Sequence, residues 1–160
     1  VLDIRVVPFD DPDAVKLRDE VQQEYVVRYG EPDETPLHPG EFDPPHGLFL
    51  VGYLDGDPVA TGAWRRPGLA ELRPGDIELK RMYVAERARG RRFARALLAE
   101  LERTAALAGG RRVVLESGVE QPEALGLYRS CGYTGIPNYG HYREDPRSVC
   151  LAKELAPPTG

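Results

Sequence analysis

The chain has 160 residues, enough for one hydrophobic core, and its 41% hydrophobic and 29% charged content is ordinary for a globular protein. A formal charge of -5 argues against a protein that grips nucleic acid through its net field. No run of about 18 apolar residues offers a membrane span, and the first stretch, VLDIRVVPFDDPD, lacks the basic and apolar regions of a signal peptide.

Residues 2–9 alternate as a strand, and Asp11 or Asp13 can cap a following helix. Ala14, Leu17, Val21 and Tyr25 keep helical spacing, so 12–29 reads as an amphipathic helix ending near Gly30. Residues 30–46 are rich in Pro and acid without period and read as an irregular loop. GLFLVGYLDGDPVATGAWRR is a β-hairpin, with strands at 47–54 and 59–66 around the turn Asp55-Gly56-Asp57-Pro58.

IELKRMYV, residues 77–84, alternates so that neither face is purely apolar, which is unusual for a buried strand. A helix follows from about 90 to 108, marked by Phe93, Leu97, Leu101 and Ala105 and stopped by Gly109-Gly110. RRVVLES (111–117) is a short buried strand, QPEALGLYRSCG (121–132) a helix with Pro122 in its first turn, and SVCLAKEL a last strand. Two cysteines, Cys131 and Cys150, form no disulfide framework, and no Cys/His spacing suits zinc, so no metal is expected. Free thiols in a reducing cytoplasm are the reading, with a single bridge left open.

The feature that carries chemistry is the packing of Arg87, Arg89, Arg91, Arg92 and Arg95 around Gly90 at a helix start. First-turn amides lack intrahelical partners and sit at the positive end of the helix dipole, so an anion fits there. Arginines add charge-assisted bonds to phosphate oxygens, and Gly90 lets a ligand approach the backbone. The spacing is neither G-x-G-x-x-G nor G-x-x-x-x-G-K-[ST].

Arg87-Ala88-Arg89-Gly90-Arg91-Arg92 resembles the coenzyme A turn Q/R-x-x-G-x-G/A of the GNAT superfamily of N-acetyltransferases, with Arg92 where the family has Gly or Ala. Gln121, Ala124, Tyr128, Gly132 and Tyr133 resemble the family's N-x-x-A-x-x-x-Y-x-x-x-G-[FY] pattern, with Gln for Asn. The resemblance runs in order over about residues 47–155. It implies an α/β (α+β) fold with a mixed, mostly antiparallel central sheet flanked by helices, in one domain over 1–160.

It further implies transfer of an acetyl group from acetyl-CoA to an amine of a small molecule or peptide, by direct attack in a ternary complex. The acyl-CoA would lie where the strand at 77–84 parts from that at 111–116. By resemblance Glu78 is the base, Tyr128 the proton donor to the leaving thiolate, and Met82 and Val84 pair with the pantetheine arm. Arg87, Arg89, Gly90, Arg91, Arg92, Phe93, Ala94 and Gln121 complete the cofactor side, with Arg92 expected in helical φ/ψ.

His38, His46, Tyr53, Trp64 and His141 are candidates for the acceptor side. A non-catalytic acyl-CoA-binding or protein-interaction module on the same fold is the alternative. Neither a nucleic acid nor a membrane partner is expected, and monomer or homodimer stays open.

Overall fold

In the computed structural model, which describes residues 1–35 and 37–158, seven strands form one sheet. Pro36, Thr159 and Gly160 of the expected 1–160 domain lie outside the described residues. The strands are β1 (Asp3–Val6), β2 (Gly47–Leu54), β3 (Asp57–Arg65), β4 (Asp76–Val84), β5 (Arg112–Gly118), β6 (Thr134–Ile136) and β7 (Ser148–Glu154). Their order across the sheet is β1-β2-β3-β4-β5-β7-β6. Every pair is antiparallel except β4–β5, which is parallel, so the sheet is mixed and mostly antiparallel. Three α-helices flank it among the described residues: α1 (Pro12–Tyr29), α2 (Phe93–Leu107) and α3 (Pro122–Ser130).

Alternation on the strands assigns the faces. Leu48 and Leu50 of β2, Ile77 and Leu79 of β4 and Val113 and Leu115 of β5 join one core with Leu97, Leu98 and Leu101 of α2 and Leu125 of α3. Phe49, Val51 and Tyr53 point to the opposite face and pack with Ala14 and Leu17 of α1. A third cluster, Val114, Tyr139, Cys150 and Ala152, lies under the segment between β6 and β7. With both faces covered, β2 is buried along nearly its whole length, as a central strand must be.

Helix α1 takes the predicted span because both ends carry signals. The Asp11 carboxylate accepts from the Asp13 and Ala14 amides at 2.9 and 3.4 Å. Gly30, at φ 82°, closes the other end with its N–H on the Val26 carbonyl. Strand β3 starts two residues early, at Asp57, and several other ends move by one or two residues; four further differences are larger. The first strand is shorter, Asp3–Val6, before the chain turns toward α1. Residues 39–42 of the loop form a 3₁₀ turn. The helix expected to start near 90 starts at Phe93, after a separate 3₁₀ turn at Glu86–Ala88. Strand β6 is an addition to the expected elements: three residues containing a glycine carry no periodic signal.

The mixed faces of β4 come from a bulge. Arg81 adopts φ 54°, and the register with β3 slips between the Thr61–Tyr83 and Ala63–Lys80 pairs. The extra residue reverses the alternation, so Ile77 and Leu79 and then Met82 and Val84 all face the α2 core, while Tyr83 packs on the α1 side. The Thr61 hydroxyl donates to the Arg81 carbonyl at 2.7 Å and holds the bulge.

Candidate active site

Strands β4 and β5 pair only at Asp76–Arg112, Ile77–Val113 and Glu78–Val114, and then diverge. From Leu79 onward β4 has no strand partner on that side, leaving a wedge-shaped gap in the sheet. Leu79, Lys80, Arg81 and Met82 form one wall, Leu115, Glu116 and Ser117 the other, and Gln121, Ala124 and Tyr128 of α3 close one side. Tyr25 of α1 and Asp33 close the opposite side. The gap falls where the sequence placed it. The bulge at Arg81 lies in the stretch of β4 that has parted from β5.

At the far end of β4 stands the arginine turn. Gly90 has φ 80°, and a Cβ added there would meet nothing within 4 Å, so the backbone is open to solvent. Arg92 takes φ 65° and ψ 19° as the residue before α2, which corrects the expectation that it is helical. Glycine meets that left-handed position without a Cβ clash, which is the physical sense of the Gly in the motif it resembles. No side chain caps α2, in contrast to α1, so its first amides are left for an external acceptor.

The arginines divide. Arg91 and Arg92 are exposed and make no ion pair among the described residues, so both are available to an anion. Arg87 instead holds Asp57 at 3.1 Å and the Pro58 carbonyl at 2.9 Å. Arg89 bridges Glu24 at 2.8 Å and the Val84 carbonyl at 2.8 Å. Arg95 reaches Ser130 and Cys131 of the α3 end. Phe93 is buried in the α2 core, so its contribution to a ligand would be its backbone amide.

Tyr128 is 7% exposed, its ring 5.7 Å from that of Tyr133. Burial, and then the nearby Tyr25 hydroxyl, push its pKa up, so it holds its proton throughout the neutral range. Burial likewise pushes Tyr25 up to about 12, against the lowering effect of Arg81. Met82 lines the gap and Gln121 sits at its end, where the Gln121 side chain accepts from the Tyr29 hydroxyl at 3.1 Å.

Glu78 is 3% exposed and does not line the gap. It accepts from Arg65 at 2.9 Å, and Arg65 also holds Glu41 at 3.0 Å. The buried Tyr139 hydroxyl feels the Glu78 carboxylate, but its geometry falls short of a full hydrogen bond. Burial, then Glu78, drive the Tyr139 pKa well up.

A residue the sequence reading passed over stands in the gap itself. Glu116 of β5 lies on the α1 face, with Lys80 opposite. Burial first, then the Asp33 and Glu78 charges, hold its pKa up at about 7 against the opposing Lys80. Its signal in the sequence is the single acid ending the apolar run VVLES, which reads only as a strand end.

The acceptor-side candidates scatter. Trp64 and Tyr53 are core residues, a correction explained by their partners. The Trp64 indole donates to Thr104 of α2 at 3.0 Å, and the Tyr53 hydroxyl donates to Asp13 of α1 at 2.7 Å. His38 and His46 are exposed around the 39–42 turn and His141 is exposed beyond β6; none lines the gap. His141 packs edge-on against Tyr142 at 4.6 Å, and it is Tyr142 that lines an adjoining chamber.

The chain with this forked sheet and uncapped helix start matches a known family. The chain belongs to the acetyltransferase (GNAT) family, whose model matches residues 14–133. It is similar to an IAA acetyltransferase of Azospirillum brasilense, 36% identical over 107 residues covering 67% of each chain. It also resembles an N-acetylaspartate synthetase of Mus musculus, 33% identical over 112 residues, 70% of this chain but 36% of that protein's length.

A Klebsiella pneumoniae structure described as a candidate acyl-CoA N-acyltransferase superposes with TM-score 0.76 at 28% identity, covering 98% of this chain and 99% of that one. The GNAT domain of S. lividans PAT shares the fold with TM-score 0.70 at 20% identity, covering 95% of this chain and 89% of that one. The protein is therefore an acetyltransferase of this family. No helix among the described residues is long and apolar enough to cross a membrane.

Proposed function

We propose that the protein transfers an acetyl group from acetyl-CoA to the nitrogen of a small-molecule or peptide amine, by direct attack in a ternary complex. The observation that carries this reading is the fork: β4 offers an unpaired edge from Leu79 to Val84 that leads to the uncapped start of α2. An extended pantetheine arm can pair with that edge at Met82 and Val84, as an added strand would. The pyrophosphate then meets the amides around Gly90 to Ala94, with Arg91 and Arg92 beside it. Arg87 and Arg89 act one step back, tying the turn to Asp57 and Glu24.

Tyr128 stands at the α3 side of the gap, where it hydrogen-bonds the departing sulfur. Its raised pKa makes it a weak acid, so it delivers its proton only as a second proton reaches it from the nitrogen. An acceptor amine is almost wholly charged at neutral pH, a penalty of roughly 4 kcal/mol for a lysine-type nitrogen. Two carboxylates on the α1 face, Glu78 and Glu116, are the groups that can lift the proton.

Calorimetric titration with acetyl-CoA, coenzyme A and desulfo-coenzyme A tests the reading. Micromolar binding, weakened in Arg91→Ala/Arg92→Ala, is expected. No heat at millimolar ligand would dismiss the cleft as a coenzyme site. Binding without any release of thiol, over a broad amine panel, would favour a non-catalytic module.

A further inference from the structure

Beside the gap lies a second chamber, partly open to solvent. The last turns of α1, the segment 31–33, the end of β5 and residues 142–148 enclose it. It shares Tyr25, Asp33, Glu116, Ser117 and Gln121 with the gap, so the two spaces adjoin along these residues. Tyr29, Pro32 and Tyr142 give it flat apolar walls. Gly118 is needed there, since any side chain would collide with the Tyr29 hydroxyl.

We infer that this chamber receives a primary amine carrying a flat apolar body, and that Glu116, at the junction with the gap, takes the ammonium proton. The inference rests on the acetyl-transfer reading above and names its acceptor class and its base.

Charge accounting separates Glu116 from its neighbours. Asp33 is engaged by Arg81 at 2.9 Å, and Asp145 is engaged by Arg147 at 3.1 Å. Glu78 is held by Arg65 at 2.9 Å and lies outside the lining of both the gap and the chamber. Glu116 has no ion-pair partner within that reach among the described residues. The charged and titratable groups facing it are Lys80 and Glu78 on β4, Asp33 after α1, and Tyr139 and Cys150 on the β7 side. The buried Ser148 hydroxyl also faces it without a well-formed hydrogen bond, leaving a donor for the carboxylate or for a water. Near neutral pH the group stands poised to gain and lose a proton.

The step balances. Glu116 takes one proton from R–NH₃⁺ and later passes it to water. The neutral nitrogen forms the C–N bond to the thioester carbonyl carbon from the α1 face, and the C–S bond breaks toward α3. Tyr128 gives its proton to the sulfur and regains the second nitrogen proton. Amide, free thiol and one proton in solution are the products.

The test begins with coenzyme A calorimetry on the wild-type protein, because absent binding there defeats the acetyl-transfer reading itself. With binding in hand, thiol release is followed with 2-phenylethylamine and with L-aspartate across the neutral range. Expected is turnover of 2-phenylethylamine at least about 10-fold above L-aspartate, with kcat rising as pH passes through about 7 and Glu116 loses its proton. Glu116→Gln should lower kcat by about 100-fold or more and abolish that rise, with coenzyme A affinity unchanged. Glu116→Asp should keep the rise at reduced kcat, and it serves as the test if the Gln variant does not bind coenzyme A.

Coenzyme A binding without phenylethylamine turnover overturns the acceptor assignment. An unaltered kcat and pH profile in Glu116→Gln, an unaltered kcat in Glu116→Asp, or loss of the rise in Glu78→Gln instead, overturns the base.

Discussion

Tyr128 and Glu116 face each other across the gap in the sheet, one from the α3 side and one from the α1 side. In the proposed reaction that placement divides the work: Glu116 takes the first ammonium proton, and Tyr128 protonates the sulfur as it receives the second. Tyr128→Phe removes the hydroxyl and keeps the ring that packs on Tyr133 and in the α2 core. We expect kcat to fall by about 100-fold while coenzyme A affinity stays within about twofold, because the hydroxyl acts mainly when the C–S bond breaks. Equal losses in both quantities, read by steady-state kinetics beside calorimetry, would reassign Tyr128 to binding. The motif makes Tyr128 legible in the sequence. Glu116 is not, because its character comes from neighbours distant in the chain, Lys80, Asp33 and Ser148, which only the fold brings to it. Conversely Glu78 keeps its expected place on β4, while its guanidinium partner Arg65 comes from the neighbouring strand through the Arg65–Glu78 register.

At the scale of elements, the turn before α2 holds its proposed anion-binding arginine under backbone strain. A non-glycine residue in the left-handed region costs about 1–2 kcal/mol, and Arg92 occupies it at φ 65°. Its charge at the mouth of the gap offers a return only when an anion is bound. Arg92→Gly should therefore raise unfolding free energy by about 0.5–1 kcal/mol and Tm by a few degrees, and weaken coenzyme A binding. Arg92→Ala removes the same charge without relieving the backbone, so it should weaken binding similarly and stabilise nothing. Equal thermal shifts for the two variants would show that the backbone there is unstrained. The sequence displays the arginines and the glycine but places Arg92 in the helix, since nothing in composition marks a φ angle. The same limit applies to β4. Its mixed faces are visible as a pattern, yet the cause, one bulged residue at Arg81, is a pairing slip against β3 that a single strand cannot show.

For the whole molecule, the fork works only if its closed end holds while its open end stays apart. Three parallel pairs join β4 to β5, and the first of them, Asp76 with Arg112, is also a buried two-bonded ion pair at 2.8 and 2.7 Å. The Arg73 amide adds a third donor to Asp76 at 2.8 Å. Burial by itself would raise the Asp76 pKa, but the bonds from Arg112 and Arg73 outweigh it and hold the carboxyl below its ordinary value. A group whose folded pKa is depressed contributes its full stability above its unfolded pKa, about 3.9 for Asp. That contribution is lost as pH falls through the lower folded value. Asp76→Asn leaves Arg112 buried without its counter-charge, and we expect a loss of about 3 kcal/mol at pH 7 in urea unfolding. The gap between wild type and variant should stay constant down to about pH 5 and then narrow in acid, because only the wild type has a carboxylate there to protonate. A gap that keeps its size at low pH would mean that Asp76 clamps the strands through shape and hydrogen bonding alone. The closed end of the fork would then owe nothing to charge.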